Sequence, residues 1–358
     1  NTALAQTRTI KGARGNMNAT DLKAIMQQQG ITREDLLDYL RQMRVIRNFE
    51  EAVYDLLGRN IIKGASHLYA GEEAVAVGAI SVLRDDDFIT STHRGHGHCY
   101  ARGDRLAKTT EEKQEHLNKM MAELCGRATG YCRGRGGSMH LVDVSLGHLG
   151  SNGIVGGHIG IAVGAALWSS LKGEQRVTVA FFGDGALTEG IFHEAANMAA
   201  LWKLPIVFVC ENNQWAMSLP WSNATAEPSF ALKAQGYGMP GIEVDGQDVL
   251  AVRRAALEAI ERARGGDGPT LLGVQTYRFL GHSRGDPSPY RDKDEEARQR
   301  ARDPLRLFQD FLFRENVIGQ DDVDAIEAEI TNRLDAAVQF AEAGPPATIE
   351  DALASLYA

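Results

Sequence analysis

The chain has 358 residues and a formal net charge of −9, with 44% hydrophobic and 24% charged residues. This composition supplies a core for one large or two modest α/β domains, and its acidity argues against nucleic acid or anionic membranes as main partners. The four cysteines form no C-x-x-C pair, which disfavours a structural zinc site and is typical of a reducing compartment. No run of about 18 apolar residues occurs, so we expect no membrane span.

The two ends of the chain differ in character from its middle. Residues 1–30 are expected to form an N-terminal tail and residues 346–358 a C-terminal tail, with one domain over 31–345. Basic residues precede the first acidic residue, Asp21. This leaves a transit peptide open as the alternative to an ordinary flexible terminus.

The first half of the domain is predicted to be mainly helical. Apolar residues recur at helical spacing from Thr32 to about Gly58, and Thr32 with Asp35 has the pattern of a capping box. The glycine-rich stretch over 126–160 predicts loops that approach a ligand or another backbone closely. The remaining predictions are a helix after Gly71, a strand over 87–90, a Gly/His/Arg loop over 91–103 and a polar helix over 104–125.

The second half alternates strands with helices. Continuous apolar strands in such an alternation predict an α/β fold, with a mostly parallel sheet covered by helices on both faces. We predict strands over 177–182, 205–210 and 271–277, helices over 188–202 and 249–263, a charged loop over 278–303 and further helices in the last 55 residues.

Polar residues stand at the carboxyl ends of two predicted strands. Asp184 lies between Gly183 and Gly185 after the first strand, and Asn213 follows the second. Parallel sheets bind ligands at these ends, and glycines beside a helix start let a diphosphate approach the backbone. A carboxylate there repels phosphate unless a cation lies between them. A hard, oxygen-binding cation is therefore indicated, and Mg²⁺ fits best.

This pattern resembles a known enzyme family. G-D-G followed by N-N about one helix and one strand later is the signature of thiamine-diphosphate enzymes. The segment from Phe192 to Pro205 is similar to the α subunits of pyruvate and branched-chain 2-oxo acid dehydrogenases and of acetoin dehydrogenase, and the resemblance extends over about residues 31–345. It implies the thiamine-diphosphate-binding fold with thiamine diphosphate and Mg²⁺ as cofactors.

The resemblance also implies roles for residues around G-D-G and N-N. Asp184 and Asn213 match the metal ligands, and the main-chain carbonyl of Trp215 matches a third, although relatives often have Tyr there. Gly185 matches a diphosphate contact, and Ala186 is expected to touch the cofactor with it.

Other implied contacts come from separate motifs. His93 and Arg94, in Thr-His-Arg-Gly, match the diphosphate-binding pair, in which many relatives have Tyr at the first position. Gly153 and Val155 match the segment along the aminopyrimidine ring. His282 matches a histidine beside the cofactor, for which we predict a catalytic role.

The implied reaction is decarboxylation of a 2-oxo acid or cleavage of acetoin, with transfer of the acyl group to lipoamide on an acyltransferase. In two-subunit relatives the β chain supplies the carboxylate that faces the aminopyrimidine. We therefore expect an assembly of two α and two β chains that is inactive without β. A bacterial, cytoplasmic enzyme is expected, with the mitochondrial matrix as the alternative location.

Besides His93, two further departures from relatives and two other functions qualify this interpretation. Ala65 replaces a bulky aromatic, which predicts a larger substrate pocket. Ser283 matches a kinase acceptor, but the shortened loop predicts no kinase control. We expect Arg278, Asp286, Tyr290 and Arg291 to order that loop. The alternative functions are a thiamine-dependent carboligase or split transketolase-like enzyme, and a non-catalytic scaffold.

Overall fold

The computed structural model describes residues 8–10 and 19–354, with side chains from residue 22 onward. The strands are β1 Arg8–Ile10, β2 Phe88–Thr92, β3 His148–Asn152, β4 Thr178–Gly183, β5 Ile206–Asn212, β6 Trp215–Ala216, β7 Leu219–Pro220, β8 Gly241–Asp245 and β9 Thr270–Gln275. The helices are α1 Ala19–Gln29, α2 Arg33–Gly58, α3 Glu73–Ile80, α4 His96–Leu106, α5 Thr110–Leu124, α6 Gly157–Lys172, α7 Gly190–Leu201, α8 Trp221–Ala224, α9 Phe230–Gln235, α10 Val249–Arg264, α11 Lys293–Arg300, α12 Pro304–Arg314, α13 Gln320–Ala343 and α14 Ile349–Ala354.

Seven of these strands form one sheet in the order β1-β8-β9-β5-β4-β2-β3, and every pair is parallel. β6 and β7 form a separate antiparallel hairpin directly after β5. In the register between β4 and β5, Gly183 pairs with Glu211. Asp184 and the two asparagines after Glu211 therefore emerge side by side at the same edge.

Helices cover both faces of the sheet, which confirms the predicted α/β architecture. One buried layer contains side chains of α2, α3, α4, α5, α10, α12 and α13, and the other contains those of α6, α7 and α9. β4 and β5 contribute to both layers, because alternate side chains of a strand point to opposite faces. This explains why their sequences are continuously apolar.

The capping box before α2 is present as predicted. The Thr32 side chain accepts a hydrogen bond from the Asp35 amide, and the Asp35 carboxylate accepts one from the Thr32 amide. The box places the start of α2 within one residue of the prediction.

The predicted loop over 91–103 is wrong for most of its length. β2 extends to Thr92 and α4 begins at His96. Residues 96–104 are all buried, so tertiary packing overrides the poor helix propensity of glycine and histidine. The predicted polar helix over 104–125 is instead the end of α4 and, after a break, α5.

Other differences are shorter. The charged loop over 278–303 contains α11, which Asp292 caps, and the glycine-rich stretch contains β3 and the start of α6. The predicted tail over 1–30 includes α1, where Leu22 is buried in the core, whereas residues 1–7 and 11–18 lie outside the described residues. In the predicted C-terminal tail, α14 is helical, and residues 355–358 are not described.

No helix within residues 19–354 is both long and apolar enough to cross a membrane.

Candidate active site

A cavity of roughly 350 Å³ lies at the carboxyl edge of the sheet. Its walls come from the segments that follow β2, β3, β4, β5 and β9, together with the start of α3. Nine of the ten predicted site residues line it: His93, Arg94, Val155, Asp184, Gly185, Ala186, Asn213, Trp215 and His282. Gly153 does not line it, but its neighbours Asn152 and Ile154 do.

Asp184 carries the least satisfied charge in this cavity. Its side chain is 2% exposed, and its Oδ2 atom has no hydrogen-bond partner among the described residues. Burial raises the pKa of the carboxyl group to about 6. A buried carboxylate oxygen without a partner is costly unless a cation or another donor completes it.

Gly185 lets the backbone pass close to the hairpin after β5. A Cβ atom at this position would lie 3.1 Å from the Cβ of Ala216. The residues from Asp184 to Thr188 form a 3-10 turn, and α7 begins only at Gly190. The helix predicted from Thr188 therefore starts two residues later.

Asn213 is held by contacts on both sides of its amide group. Its Nδ2 atom donates to the two carboxylate oxygens of Glu72 at 3.3 and 3.4 Å, and its Oδ1 atom accepts from the Trp215 amide at 3.3 Å. The positive φ of Gln214, 75°, turns the chain between them. The amide oxygen is therefore fixed at the cavity wall. Asn213 as a whole is 7% exposed.

The carbonyl of Trp215 already has one partner. Arg278 Nη1 donates to it at 3.1 Å, and Arg278 Nη2 donates to the Met217 carbonyl at 3.1 Å. A carbonyl oxygen has two lone pairs, so one remains for a cation. Of the three predicted metal ligands, this carbonyl is the one in direct contact with a positive charge.

Arg94 brings a buried positive charge to the opposite wall. Its guanidinium donates to the Leu68 carbonyl at 2.5 Å and the His282 carbonyl at 3.0 Å, and its Nε atom lies 3.7 Å from Glu72. Burial lowers the pKa of this group, although an arginine remains charged at neutral pH.

His93 and His282 lie next to each other and to a third histidine, His67. The ring centroids are 4.5 Å apart for His67 and His93, 4.7 Å for His67 and His282, and 5.6 Å for His93 and His282. Burial, with the charge of Arg94, lowers the pKa to about 3, about 2 and about 4 for His67, His93 and His282. All three rings are neutral at pH 7.

The loop after β9 is ordered by its own polar residues, as predicted. Asp286 accepts hydrogen bonds from the His282 amide at 2.7 Å and the Ser288 amide at 2.8 Å, and Tyr290 also donates to it. Arg291 donates to the carbonyls of Arg278 and Leu280 at 2.8 and 3.0 Å. These contacts hold His282 against Arg94.

Sequence reasoning missed two carboxylates of the cavity wall, Glu72 and Glu211. Glu211 accepts a hydrogen bond from Tyr69 and lies 3.0 Å from His98 Nε2. Burial and the charge of Glu211 raise the pKa of Glu72 to about 8. The sequence did contain a signal, because each of these glutamates stands in an apolar segment that is expected to be buried. Glutamate is rarely buried without a specific partner.

Ala65 does not reach this cavity. It lines a neighbouring one of roughly 390 Å³, together with Lys63, Ser66, Ser283 and Arg284. The predicted effect of Ala65 on substrate size stays a prediction, and it concerns this second cavity.

The fold and site define a class of cofactor-binding α/β enzyme, and comparisons with known proteins agree. The model of the family described as "Dehydrogenase E1 component" matches residues 41–350. The chain is 44% identical to the α subunit of acetoin:2,6-dichlorophenolindophenol oxidoreductase from Bacillus subtilis, over 93% of this chain and 97% of that one. It is 44% identical to the protein of the same name from Cupriavidus necator, over 91% and 95%. It is 41% identical to a chloroplastic pyruvate dehydrogenase E1 component subunit alpha-3 from Oryza sativa, over 90% and 75%.

The chain therefore belongs to the dehydrogenase E1 component family, as an α subunit. Membership makes it part of an oxidoreductase that acts on an oxo group. It also implies thiamine diphosphate as cofactor and a β subunit as partner.

Proposed function

We propose that this chain binds thiamine diphosphate and Mg²⁺ in the cavity at the carboxyl edge of the sheet, as the α subunit of a 2-oxo acid or acetoin dehydrogenase. The observation that carries the proposal is the buried Oδ2 atom of Asp184, which has no partner in the described residues, beside the fixed amide of Asn213. Such an arrangement is unfavourable in itself and becomes favourable around a cation.

The proposed metal ligands are Asp184, Asn213 and the carbonyl of Trp215. All three are oxygen donors, which Mg²⁺ prefers, and diphosphate oxygens and water would complete the octahedron. Arg278 donates to the Trp215 carbonyl oxygen, and its positive charge repels a cation at that oxygen. The carbonyl therefore contributes less to the affinity for Mg²⁺.

The diphosphate group would lie against His93, Arg94, Gly185 and Ala186. Arg94 supplies the positive charge that one divalent cation leaves uncompensated, and its buried position strengthens that attraction. Gly185 keeps the backbone free of a side chain where the diphosphate would approach. Gly153 and Val155 would lie along the aminopyrimidine ring.

When bound, thiamine diphosphate supplies a nucleophilic carbon and an electron sink. His282 is the proposed catalytic residue, because its imidazole is neutral and its buried Nδ1 atom has no hydrogen-bond partner among the residues that the structure describes. It can therefore hold or receive a proton near the reacting carbon. The ordered loop around it would exclude water from the cavity.

The β subunit is proposed to complete the cavity. Ile154, Val155, Met217 and Leu219 line it and are between 46% and 71% exposed in this chain. An exposed apolar rim is typical of a surface that a partner covers. We propose an assembly of two α and two β chains, in which β provides the carboxylate for the aminopyrimidine.

The substrate is proposed to be acetoin or a 2-oxo acid such as pyruvate, with a lipoyl-bearing acyltransferase receiving the acyl group. The proposal is supported by the names of the relatives, which are acetoin oxidoreductases and a pyruvate dehydrogenase component. The two bacterial relatives also favour a bacterial, cytoplasmic source.

The test is calorimetric titration of thiamine diphosphate into the α chain co-expressed with its β chain. Saturable binding that requires Mg²⁺ and is lost in Asp184→Ala is the expected result, and absence of binding to the assembled wild-type enzyme would refute the proposal. Acceptor reduction with acetoin, pyruvate and a branched-chain oxo acid in parallel would then identify the substrate. The α chain alone should give no turnover.

A further inference from the structure

His140 lies outside the cavity but contacts the segment that forms one of its walls. Its Nε2 atom is 3.3 Å from the backbone nitrogen of Gly153, and its Nδ1 atom is 3.2 Å from the carbonyl oxygen of Gly136. Asn152 and Ile154, on either side of Gly153, line the cavity, and His140 does not. The histidine therefore supports the wall from the side that faces away from the cavity.

The two contacts determine where the ring carries its proton. The amide of Gly153 can only donate a hydrogen bond, so the Nε2 atom accepts it. The carbonyl of Gly136 can only accept, so the Nδ1 atom carries the hydrogen and donates. A neutral imidazole with one hydrogen, on Nδ1, satisfies both contacts. A side chain that offers only one of these two functions loses one of the contacts.

The bond to Gly153 continues a short row of hydrogen bonds between two segments of the chain. Next to His140, the carbonyl of Leu141 accepts from the amide of Ser151 at 2.9 Å. The other hydrogen bonds of residues 153–156, within the described part of the chain, are local and lead into α6. The imidazole is therefore the group that ties this end of the wall to the rest of the fold.

Both glycines in contact with His140 leave room for it. A Cβ atom at Gly153 would lie 3.3 Å from the Cε1 and Nε2 atoms of the ring, which is closer than an ordinary van der Waals contact. A Cβ atom at Gly136 would lie 2.3 Å from the His140 carbonyl oxygen. A side chain at either position would displace the histidine.

The loop that carries His140 has buried supports of its own. The Oε1 atom of Glu123 accepts a hydrogen bond from the Gly136 amide at 2.7 Å. The Nε2 atom of His96 lies 3.0 Å from both the carbonyl and the hydroxyl oxygen of Ser138. Glu123 and His96 are both buried. The side chain of His140 is exposed, but the backbone on which it stands is fixed.

We propose that His140 is a positioning residue, which holds residues 152–155 in place for the aminopyrimidine ring of thiamine diphosphate. This inference rests on the proposed function, because the cofactor is what the segment would contact. A wall that is already held in place costs less conformational entropy when the ligand binds. The proposed diphosphate contacts Arg94 and Gly185 belong to other segments, so His140 should affect the aminopyrimidine end alone.

The first experiment measures amide hydrogen exchange in the cofactor-free assembly of α and β chains. His140→Asn retains a donor near the Nδ1 position but does not reach Gly153, whereas His140→Gln reaches Gly153 with its amide oxygen. Peptides over residues 150–156 should exchange ~2–10-fold faster in the Asn variant than in the wild type, the ratio expected for one ordinary hydrogen bond. The Gln variant should restore most of this protection. Equal exchange in all three proteins would overturn the proposal.

The second experiment compares two ligands by calorimetry with Mg²⁺ in excess. Thiamine diphosphate has the aminopyrimidine ring and inorganic diphosphate lacks it. His140→Asn should raise the Kd of thiamine diphosphate by ~2–10-fold and leave that of inorganic diphosphate unchanged, and His140→Gln should restore most of the affinity. An equal loss for both ligands would indicate a general structural effect and overturn the proposal, as would no loss for either.

Arg133→Gln is the matched control, because Arg133 is an exposed residue of the same loop. It should leave both affinities and the exchange of residues 150–156 unchanged. A change as large as that of His140→Asn would assign the effect to the loop as a whole and contradict the proposal.

The two experiments also separate this inference from the proposed function. If the wild type does not bind thiamine diphosphate, the proposed function is refuted, and the cofactor role of His140 with it. Faster exchange in His140→Asn would in that case still establish that the imidazole holds Gly153. If the wild type binds the cofactor and His140→Asn binds it equally well, His140 alone loses its role.

Discussion

Two regions of this molecule differ in how their buried ionisable groups are compensated. Near the glycine-rich stretch after α5, Glu123 accepts hydrogen bonds from four amides, those of Cys132, Gly134, Gly136 and Gly137, at 2.7–3.1 Å. In the cavity, Asp184 has an oxygen with no hydrogen-bond partner within the described part of the chain. Both side chains are nearly or fully buried.

This difference distinguishes buried charges that stabilise the fold from buried charges that serve function. Glu123 replaces every lost water contact with a backbone donor, so its burial stabilises the loop around it. Arg102 does the same with the carbonyls of Leu146, Arg84, Asp85 and Asp87. Asp184 Oδ2 has no such donor among the described residues, so its burial is unfavourable in itself.

Glu123→Gln should have the largest effect on stability. The NH2 group that replaces one carboxylate oxygen donates and cannot accept, so two backbone donors lose their acceptor, and we expect unfolding to become easier by about 3 kcal/mol or more. Denaturant unfolding of the variant beside wild type measures this. Glu115→Gln, on the exposed side of the same helix, is the control; equal losses in both would show that the buried hydrogen bonds of Glu123 add nothing to stability.

His116 tests the same region through pH. Its ring lies between the Tyr100 carbonyl, at 3.2 Å, and the Tyr131 hydroxyl, and burial lowers its pKa to about 4. The neutral form is therefore favoured in the fold, so its contribution is complete above about pH 6.5 and is lost as pH falls towards 4. That contribution is on the order of 3 kcal/mol.

The measurement is the free energy of unfolding as a function of pH for wild type and His116→Gln. The variant should lose less stability than wild type between pH 6.5 and 4. Parallel curves would show that the histidine is not held neutral by burial.

Asp184→Asn tests the cavity, where we expect the substitution to increase stability and not to decrease it. Burial raises the pKa of this carboxyl to about 6, so the folded state holds the proton more tightly than the unfolded state does. The wild type therefore loses stability as the pH rises from about 4 through 6, because the carboxylate becomes charged while it is buried. Without cofactor, the variant should be more stable than wild type at pH 8 by up to ~2 kcal/mol, and the gain should vanish near pH 4.

Thermal unfolding with and without thiamine diphosphate and Mg²⁺ completes this test. The wild type should gain stability from the cofactor and the variant should not. A variant less stable than wild type at pH 8 would show that the charge of Asp184 is compensated within the chain.

Lys108→Ala provides the smallest expected effect and the baseline for the others. Lys108 lies 3.2 Å from Asp85, and the two side chains are 66% and 64% exposed. Water and salt screen such a pair, so the loss should stay within ~0.5 kcal/mol. A loss near that of Glu123→Gln would show that burial does not separate the two classes of charge.

The sequence predicted the parts of the fold that local pattern determines. The capping box at Thr32 and the apolar runs of β4 and β5 mark their elements directly, because they depend on neighbours in the chain. The G-D-G and N-N motifs placed Asp184 and Asn213 at adjacent strand ends, and the register of β4 and β5 brings them together.

The missed parts depend on distant contacts. α4 begins with His96, Gly97 and His98 and is helical because it is enclosed by other elements. α11 is almost entirely charged and has no apolar face to reveal it. His67 was not selected, since nothing in the linear sequence places it beside His93 and His282.

The loop after β9 also bears on how this family can diverge. Its shape depends on Arg278, Arg291, Asp286 and Tyr290, whereas Arg284 and Gly285 at its tip are exposed. The side chain of Arg284 lies over the Tyr54 ring and takes no part in that framework, so we expect changes at the tip to leave His282 in its position. A regulatory sequence can therefore be gained or lost there without rebuilding the active site.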